Sequence, residues 1–288
     1  MQLKPIERND WDAAASVLVR GFQERPPSFW SDGLARLQSN DPTGITRNIG
    51  YLLQNDGKNV GIILTFRTSR TDRDGSRRDI VNLSSWYVDR CFRWYAPSML
   101  KQLVGERDAI YTDLSASPRM SRVLHALQFS EWNQGLLAAS LPQTMFAWRR
   151  GARVYGLDDA PAGALTDADR RMLEDHARMG CIVCVLIDRG VYHPLIFLRR
   201  VRRGIPFARL IYAPSRRAVI ASLPNILYFL LRSKVALVVM ESDRDECPRY
   251  CFFFKDRARK FYKGNFDSDR IDFAYSEAIF FDFENGLV

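Results

Sequence analysis

Hydrophobic and polar positions along the start of the chain follow the periods of short strands and amphipathic helices. Residues Gln2–Ile6 fit a strand, and an amphipathic helix follows it. The apolar face of that helix consists of Trp11, Ala14, Val17 and Leu18. Further on, two apolar segments flank residues 56–57, an Asp-Gly pair that favours a tight turn and therefore predicts a β-hairpin. The elements predicted next are a strand, a helix, a strand and a helix at residues 79–88, 97–104, 109–115 and 118–127.

The same order of elements recurs in the second half. A helix is predicted at residues 165–180, with Thr166 as its N-cap and Gly180 at its end. A hairpin turning at residues 189–192, a strand, one apolar helix at residues 217–233 and a last strand follow. Residues 137–164, which contain Pro and Gly, resemble a boundary. The pattern predicts a mixed α/β (α+β) fold with two domains, residues 1–150 and 151–288.

Composition is that of an ordinary globular protein, with 47% hydrophobic and 26% charged residues and a net charge of +9. The five cysteines are an odd number without regular spacing, which favours reduced thiols and a cytoplasmic location. The N-terminus lacks the apolar core of a signal peptide. The most apolar stretch, Ile226–Met240, is interrupted by Arg232 and Lys234, so we expect a soluble protein.

The turn after the strand at residues 79–88 reads RCFRWYAPSML, residues 90–100. Two residues separate Arg93 from Ala96, and one more separates Ala96 from Ser98. This spacing resembles the Arg/Gln-x-x-Gly-x-Gly/Ala loop of the GNAT superfamily, the acyl-CoA-dependent N-acyltransferases. The repeated order of elements is similar to tandem members such as mycothiol synthase and the Fem proteins. Two features depart from the loop pattern: Ala96 replaces a Gly, and Pro97 removes one N–H donor.

The resemblance implies two tandem GNAT-like domains, each with a mixed, mostly antiparallel sheet flanked by helices and a splayed pair of strands. It implies that the N-terminal domain binds acyl-CoA as co-substrate and that the C-terminal domain is a degenerate copy with an acceptor-shaping or structural role. The cofactor-binding residues that it implies are Val88, Arg93, Trp94, Tyr95, Ala96, Ser98 and Ser117. No metal is implied.

A second segment, residues 115–129, resembles the family's helix that ends in Leu-Gly-Phe, with Gln128 at the Gly position. The Tyr that often serves the family as general acid corresponds to Leu124 and is therefore replaced. Asp113 and Tyr87 are the candidate catalytic residues, Asp113 as a base acting directly or through water. The alternatives are an ion pair of Asp113 with Arg93 or Arg119 and a packing role for Tyr87.

Other kinds of site receive less support. Cys181 and Cys184 have C-x-x-C spacing, but within a strand they point to opposite faces, which argues against zinc. Phosphate-binding and dinucleotide-binding glycine motifs are missing. The basic segments at residues 198–204 and 255–264 fit either solvated strand ends or nucleic-acid binding. The apolar helix fits core packing or contact with a lipid.

Three functional hypotheses follow. In the first, a bacterial cytoplasmic N-acyltransferase moves an acyl group from acetyl-CoA or a longer acyl-CoA to the amine of a small-molecule, amino-sugar or lipid acceptor. In the second, a GNAT-like protein has lost catalysis and binds a ligand or a partner. In the third, the protein recognises RNA or an anionic surface. Nucleic acid and membrane are not the favoured partners, and the sequence gives no oligomeric state.

Overall fold

The computed structural model describes residues 1–39, 48–71, 77–106, 108–257 and 259–281. Two compact units make up the chain. Unit 1 consists of Met1–Trp132 together with Lys260–Phe266 and Tyr275–Asn285, and unit 2 consists of Asn133–Arg259, Asp267–Ala274 and Gly286–Val288. The last part of the chain therefore contributes to both units.

Unit 1 contains seven strands and five α-helices within its described residues. The strands are β1 (Gln2–Pro5), β2 (Gly50–Asn55), β3 (Lys58–Thr71), β4 (Arg77–Val88), β5 (Ala109–Asp113), β6 (Ser130–Glu131) and, from the C-terminal part of the chain, β14 (Phe261–Lys263). The helices are α1 (Trp11–Gly21), α2 (Pro27–Ser39), α3 (Ala96–Leu103), α4 (Pro118–Ala126) and α9 (Glu277–Phe280).

The sheet of unit 1 has the strand order β1-β2-β3-β4-β5-β14-β6. All neighbouring strands are antiparallel except β4 and β5, which are parallel. The β2–β3 hairpin turns at Asp56 and Gly57, both at positive φ, as the Asp-Gly signal predicts. One face of the sheet packs on α3 and α4 through a buried core that includes Val81, Leu83, Met99, Leu124 and Phe261.

Unit 2 has the same kind of architecture. Its strands are β7 (Gly135–Ser140), β8 (Arg153–Tyr155), β9 (Ile182–Asp188), β10 (Val191–Arg202), β11 (Ile205–Ala213), β12 (Leu237–Ser242), β13 (Phe252–Lys255) and β15 (Ile271–Asp272). Its helices are α5 (Leu141–Thr144), α6 (Asp167–Arg178), α7 (Arg216–Ala221) and α8 (Leu223–Leu230). The sheet order is β13-β7-β12-β11-β10-β9-β8, with β15 paired to β11. The one parallel pair among these described strands is β11 with β12.

The structure confirms the mixed α/β class with two mostly antiparallel sheets flanked by helices, and it differs from the sequence predictions in two places. The first segment of unit 1 ends at Trp132 and not at residue 150, because β7, which follows it, pairs with β12 and β13 of unit 2. The helix predicted at residues 217–233 is two helices that meet at Ser222. Pro224 explains this break, since a proline inside a continuous helix lacks the N–H donor and clashes with the preceding turn.

Candidate active site at the opening between β4 and β5

Strands β4 and β5 separate within unit 1. Their parallel pairing ends at Leu83 and Asp113, whereas β4 continues to Val88 and stays paired with β3 on its other side. No described strand pairs with the β5-facing edge of β4 beyond Leu83. Residues 84–88 therefore present main-chain groups at the edge of an opening, and such unpaired strand edges readily accept a further extended partner.

A β-bulge accompanies this separation. The β3–β4 register shifts between Ile62 and Leu64, whose partners are Tyr87 and Ser84. Ser85, inside the bulge, has a φ of 47°, an unusual value for a residue with a side chain. Bulges bend a strand and often lie next to functional sites, so the bulge gives a local cause for the departure of β4 from β5.

Asp113 lies at the last paired position of β5 and is buried. Its carboxylate accepts a hydrogen bond from the Ser115 main-chain N–H at 3.1 Å. Burial, and secondly the negative charge of Glu277, raise the pKa of Asp113 to about 7. A carboxylate with a pKa near neutrality accepts and releases protons under physiological conditions, which suits a general base.

Glu277 and Lys260 come from the C-terminal segments of unit 1 and complete a buried charged cluster with Asp113. Ser84 on β4 donates its hydroxyl to the Glu277 carboxylate, and the Glu277 main-chain N–H donates to Asn82 Oδ1 at 3.1 Å. The Lys260 ammonium donates to the Leu114 carbonyl and lowers the pKa of Asp113 in opposition to Glu277. Neither Glu277 nor Lys260 is predicted as a site residue from the sequence.

Aromatic packing holds the segment that carries Glu277 in place. Phe280 lies 5.7 Å from Phe66, ring centre to ring centre, and Phe281 lies 5.6 Å from Trp30. Gly33 on α2 makes room for this segment, because a Cβ there would lie 2.3 Å from the Phe281 ring. The side chain of Glu277 therefore sits on an anchored helical turn.

The turn that resembles the cofactor loop is compact. Residues Arg90–Tyr95 form a 3-10 turn that runs directly into α3, and the Ala96 N–H donates to the Arg93 carbonyl. Phe92 and Tyr95 pack on the core, whereas Arg93 and Trp94 are exposed. A 3-10 turn uses its own N–H groups in i→i+3 bonds, so this turn offers fewer main-chain donors than an open phosphate-binding loop. The turn also presents two exposed guanidinium groups, those of Arg90 and Arg93, and such groups suit anions.

Three other predicted site residues have clear positions near this turn. Val88 is buried at the end of β4, and Ser98 is exposed in the first turn of α3. Ser117 is the N-cap of α4, since its Oγ accepts the Met120 N–H at 3.3 Å. Its hydroxyl remains exposed at the start of that helix.

The segment that resembles Leu-Gly-Phe follows the end of α4. Gln128 has a φ of 63°, a conformation that favours Gly, and Phe129 after it is buried. Leu124, at the position of the family's frequent Tyr, is fully buried in the core. The position that corresponds to Gly therefore has a backbone conformation that suits Gly, and the position that corresponds to Tyr carries a buried apolar side chain.

Tyr87 lies on the α1 side of β4. Its ring blocks any side chain at Gly21, where a Cβ would approach it to 2.4 Å, and its ring centre lies 6.3 Å from that of Phe22. Burial, and then a hydrogen bond with Asp89, raise the pKa of Tyr87. The structure thus shows a packing role for Tyr87, and its hydroxyl also belongs to a polar group with Arg20 and Asp89.

A cavity of about 530 Å³ lies next to this polar group. Arg20 is fixed there by hydrogen bonds of 3.0 Å from Nε and Nη2 to Asp89 and of 2.8 Å from Nη2 to the Asn59 carbonyl. Other lining residues are Val17, Lys58, Val60 and Phe92. Asp113 does not line this cavity, so the opening and the cavity are separate features of unit 1.

Unit 2 has a corresponding separation of strands, but its own chain fills it. In the parallel pairing of β11 with β12, Ala208 lies opposite Val238 and Arg209 lies opposite Val239. The pairing ends there. Beyond that point β15 pairs with β11, and the Phe273 N–H donates to the Ile211 carbonyl at 2.8 Å. The strand edge that is open in unit 1 is therefore occupied in unit 2.

The turn after β11 is neutralised within unit 2 as well. Asp269 accepts hydrogen bonds from Ser215 Oγ at 2.7 Å and from the Arg217 N–H at 3.0 Å. Arg216 is buried and pairs with Asp243 and Glu246 at 3.1 and 2.7 Å. Carboxylates of the chain occupy the place where an anionic ligand would need donors.

The structure also shows where the cysteine pair and the basic segment at residues 255–264 lie. Cys181 and Cys184 are buried free thiols, and burial raises the pKa of Cys181 to about 12. Within the part of the chain that the structure describes, no cluster of His, Cys, Asp and Glu side chains is arranged to hold a metal ion. The basic segment 255–264 contains β14 and the buried Lys260, so it is not a continuous solvated face. Ala258 and residues 282–288 lie outside the described residues.

None of the described helices is long and apolar enough to cross a membrane.

Comparison with known proteins gives matches in structure. No protein-family model matches the sequence, and no curated protein matches it either. A GCN5-related N-acetyltransferase from Anabaena variabilis has a TM-score of 0.58 and 10% identity, covering 91% of this chain and 72% of its own. Eis1 from Mycobacterium abscessus has a TM-score of 0.51 and 11% identity, covering 91% of this chain and 73% of its own. A candidate acetyltransferase from Pyrococcus horikoshii has a TM-score of 0.52 and 13% identity, with coverages of 96% and 93%.

These likenesses define the fold. The chain has the fold of the GCN5-related N-acetyltransferases, the GNAT superfamily, as the turn at residues 90–100 and the order of elements predict. At these identities the likeness concerns architecture, and the chemistry has to be argued from the residues of the site.

Proposed function

We propose that unit 1 transfers an acyl group from acyl-CoA to the amine of an acceptor. The observation that carries this proposal is the position of Asp113, a buried carboxylate with a pKa near 7, at the point where β4 and β5 part. The opening offers an extended ligand a strand edge, and the carboxylate offers it a base. The acceptor classes that we propose are those expected from the sequence: a small molecule, an amino sugar or a lipid.

Unit 2 supports the placement of the cofactor arm. There, β15 runs along the edge of β11 beyond the end of the β11–β12 pairing. An amide-containing chain such as the pantetheine arm of CoA makes the same kind of hydrogen bonds to a strand edge. We therefore place the arm along residues 84–88 of β4, with the CoA phosphates near Arg93 and the neighbouring residues Trp94, Tyr95, Ala96 and Ser98.

The proposed reaction needs one proton acceptor and one proton donor. The Asp113 carboxylate takes a proton from the acceptor ammonium, and the amine nitrogen forms a bond to the thioester carbonyl carbon. The carbon–sulfur bond then breaks, the new amide nitrogen gives up its second proton, and the thiolate takes a proton through water to leave as the CoA thiol. The Tyr87 hydroxyl lies in the polar group with Arg20 and Asp89, apart from the opening, so the proposed donor is water. Ser84 and Asn82 position Glu277 beside the base. Holding the two reactants together supplies most of the rate enhancement.

We further propose that the two units are tandem copies of one fold and that unit 2 does not bind CoA. In both sheets, one parallel pair of strands separates part of the way along: β4 and β5 in unit 1, and β11 and β12 in unit 2. The longer strand of each pair, β4 or β11, contains a β-bulge. In unit 2, β15 and Asp269 occupy the edge and the turn. Unit 2 then has a structural or acceptor-shaping role.

Binding and turnover measurements test the proposal. Acetyl-CoA, longer acyl-CoAs and free CoA are expected to raise the melting temperature, since a ligand that binds only the folded state stabilises it. Titration calorimetry is expected to give one CoA per chain. Thiol release with a panel of amines then tests transfer. No shift with any CoA species at millimolar concentration would contradict the proposal.

The second candidate function is ligand binding without catalysis. The compact 3-10 turn before α3 and the buried Leu124 favour it, because both reduce features that an active GNAT site uses. A stabilising shift with CoA, combined with no thiol release for any amine in the panel, would support this second function over the first.

A further inference from the structure

Unit 2 carries a contiguous exposed apolar surface that the proposed acyl transfer does not use. It is formed by the turn Met145–Ala147, the residue Trp148 and the outer face of α8 with the turn that follows it. Phe146 is 93% exposed, and its exposed neighbours are Met145, Trp148, Tyr228 and Leu231. We call these five residues the aromatic patch.

The aromatic patch is held rigidly. Trp148 and Tyr228 form an edge-on ring pair with centres 5.8 Å apart. Beneath them the buried side chain of Asn225 joins the two segments, since Nδ2 donates to the carbonyls of Arg149 and Ala152 at 3.3 and 3.0 Å and Oδ1 accepts the Arg149 N–H at 3.4 Å. A surface fixed in this way loses little conformational freedom when it binds.

Cations surround the aromatic patch. The two segments that form it, residues 141–150 and 223–236, contain Arg149, Arg150, Arg232 and Lys234 and no Asp or Glu. Arg149 pairs with Asp188 at 2.7 Å, while Arg150, Arg232 and Lys234 are exposed. Arg232 also lies over the ring of Phe229, 5.4 Å from its centre. Exposed aromatic rings surrounded by basic side chains complement a surface that is apolar inside and anionic outside.

We propose that the aromatic patch docks unit 2 onto the surface of an anionic lipid bilayer. Trp and Tyr rings favour the boundary between lipid headgroups and acyl chains, and nearby Lys and Arg side chains bind anionic headgroups. A second copy of the chain does not fit the same surface, because its own cations would repel those of the first. The contact is peripheral, with Phe146 as the most protruding residue.

Vesicle sedimentation with the full chain tests this proposal. The protein is expected to sediment with vesicles of phosphatidylcholine mixed with phosphatidylglycerol and to stay in solution with phosphatidylcholine alone, and added salt is expected to release it. Phe146→Glu with Trp148→Glu is expected to weaken vesicle binding about tenfold or more. Arg150→Gln with Arg232→Gln and Lys234→Gln is expected to weaken it and to reduce its dependence on salt.

Matched controls come from another exposed surface of unit 2. Phe252→Glu with Phe254→Glu changes two exposed aromatic residues on β13 and is expected to leave vesicle binding unchanged. Melting temperatures show that each variant is folded. Equal loss of binding in patch and control variants, or no sedimentation of wild type with anionic vesicles, would overturn the proposal. Dimers in solution that the patch variants abolish would instead assign the patch to self-association and overturn it as well.

Discussion

The main-chain N–H of Glu277 donates to the side-chain oxygen of Asn82 at 3.1 Å, although 195 positions separate the two residues in the chain. This hydrogen bond, with the one from Ser84 Oγ, sets Glu277 beside the opening of unit 1. The charge of Glu277 then acts on Asp113 and is the second cause, after burial, of the raised pKa. The proposed base is therefore tuned by a residue from the end of the chain.

Glu277→Gln is expected to lower the pKa of Asp113, because the variant removes a negative charge that opposes ionisation. The acidic limb of the pH–rate profile of thiol release should then move to lower pH, with the rate at high pH nearly unchanged. Glu131→Gln, which changes an exposed carboxylate on β6, is the control and should leave the profile in place. An identical pH–rate profile in wild type and Glu277→Gln would show that Glu277 does not affect the pKa of the catalytic base.

Asp113→Asn is expected to lower the rate of thiol release by roughly 10²- to 10⁴-fold, the usual contribution of a general base. The melting-temperature shift caused by CoA should remain, since the amide has nearly the same size and the cofactor contacts lie elsewhere. Steady-state kinetics and thermal shift measured on the same preparation test whether the rate falls while CoA binding is retained. Full activity in the variant would exclude Asp113 as the base.

Asp113 is also expected to make stability depend on pH. Its pKa is about 7 in the folded protein and near 3.8 when unfolded, so the unfolded chain loses this proton first as pH rises. The free energy of unfolding contributed by this group is highest below pH 4 and falls as pH rises to about 7, by on the order of 4 kcal/mol. Denaturant unfolding across this pH range should show that the free energy of unfolding of Asp113→Asn increases relative to that of the wild type as pH rises. If the difference in unfolding free energy between the two proteins did not change with pH, it would contradict the raised pKa of Asp113.

Arg93→Glu is expected to abolish the thermal shift caused by CoA, because it replaces the proposed phosphate-binding cation with an anion. The loss in affinity should be at least tenfold, and the free protein should keep its melting temperature since Arg93 is exposed. Arg171→Glu makes the same charge change on an exposed position of α6 in unit 2 and serves as the control. Equal CoA binding by both variants would show that the turn does not hold the phosphates.

Gly33→Ala is expected to destabilise unit 1 by about 1–3 kcal/mol, the usual cost of overpacking, because the new methyl group meets the ring of Phe281. Phe281→Ala alone should cost about 3–5 kcal/mol through lost burial. The double variant should cost less than the sum of the two, since the clash disappears with the ring. Denaturant unfolding of the four proteins measures this coupling, and strict additivity would show that α2 and the last segment do not pack in this way.

Local signals in the sequence predict the parts of the fold that local interactions determine. The Asp-Gly turn at residues 56–57 and the Thr166 N-cap of α6 both appear where the pattern places them. Gln128 adopts the positive φ of the glycine that it replaces in the motif. Each of these features depends on a few neighbouring residues, so one stretch of sequence is enough to predict it.

The pairings between distant segments were missed for a physical reason. Hydrophobic alternation identifies a strand but not its partner, so neither the insertion of β14 between β5 and β6 nor the pairing of β7 with β12 is visible in the pattern. Lys260 and Glu277 look like ordinary surface charges in the sequence, and only their long-range contacts bury them. Asp113 could be proposed because its position at the end of β5 follows from the order of elements.

The late position of β14 in the chain also has a consequence during protein synthesis. Residues 1–132 leave the ribosome well before Phe261, so the sheet of unit 1 receives its sixth strand in order, β14, only after the main segment of unit 2 has been synthesised. A product cut short before Lys260 would lack both that strand and the carboxylate of Glu277. The charged cluster around Asp113 therefore assembles only after synthesis has passed Glu277.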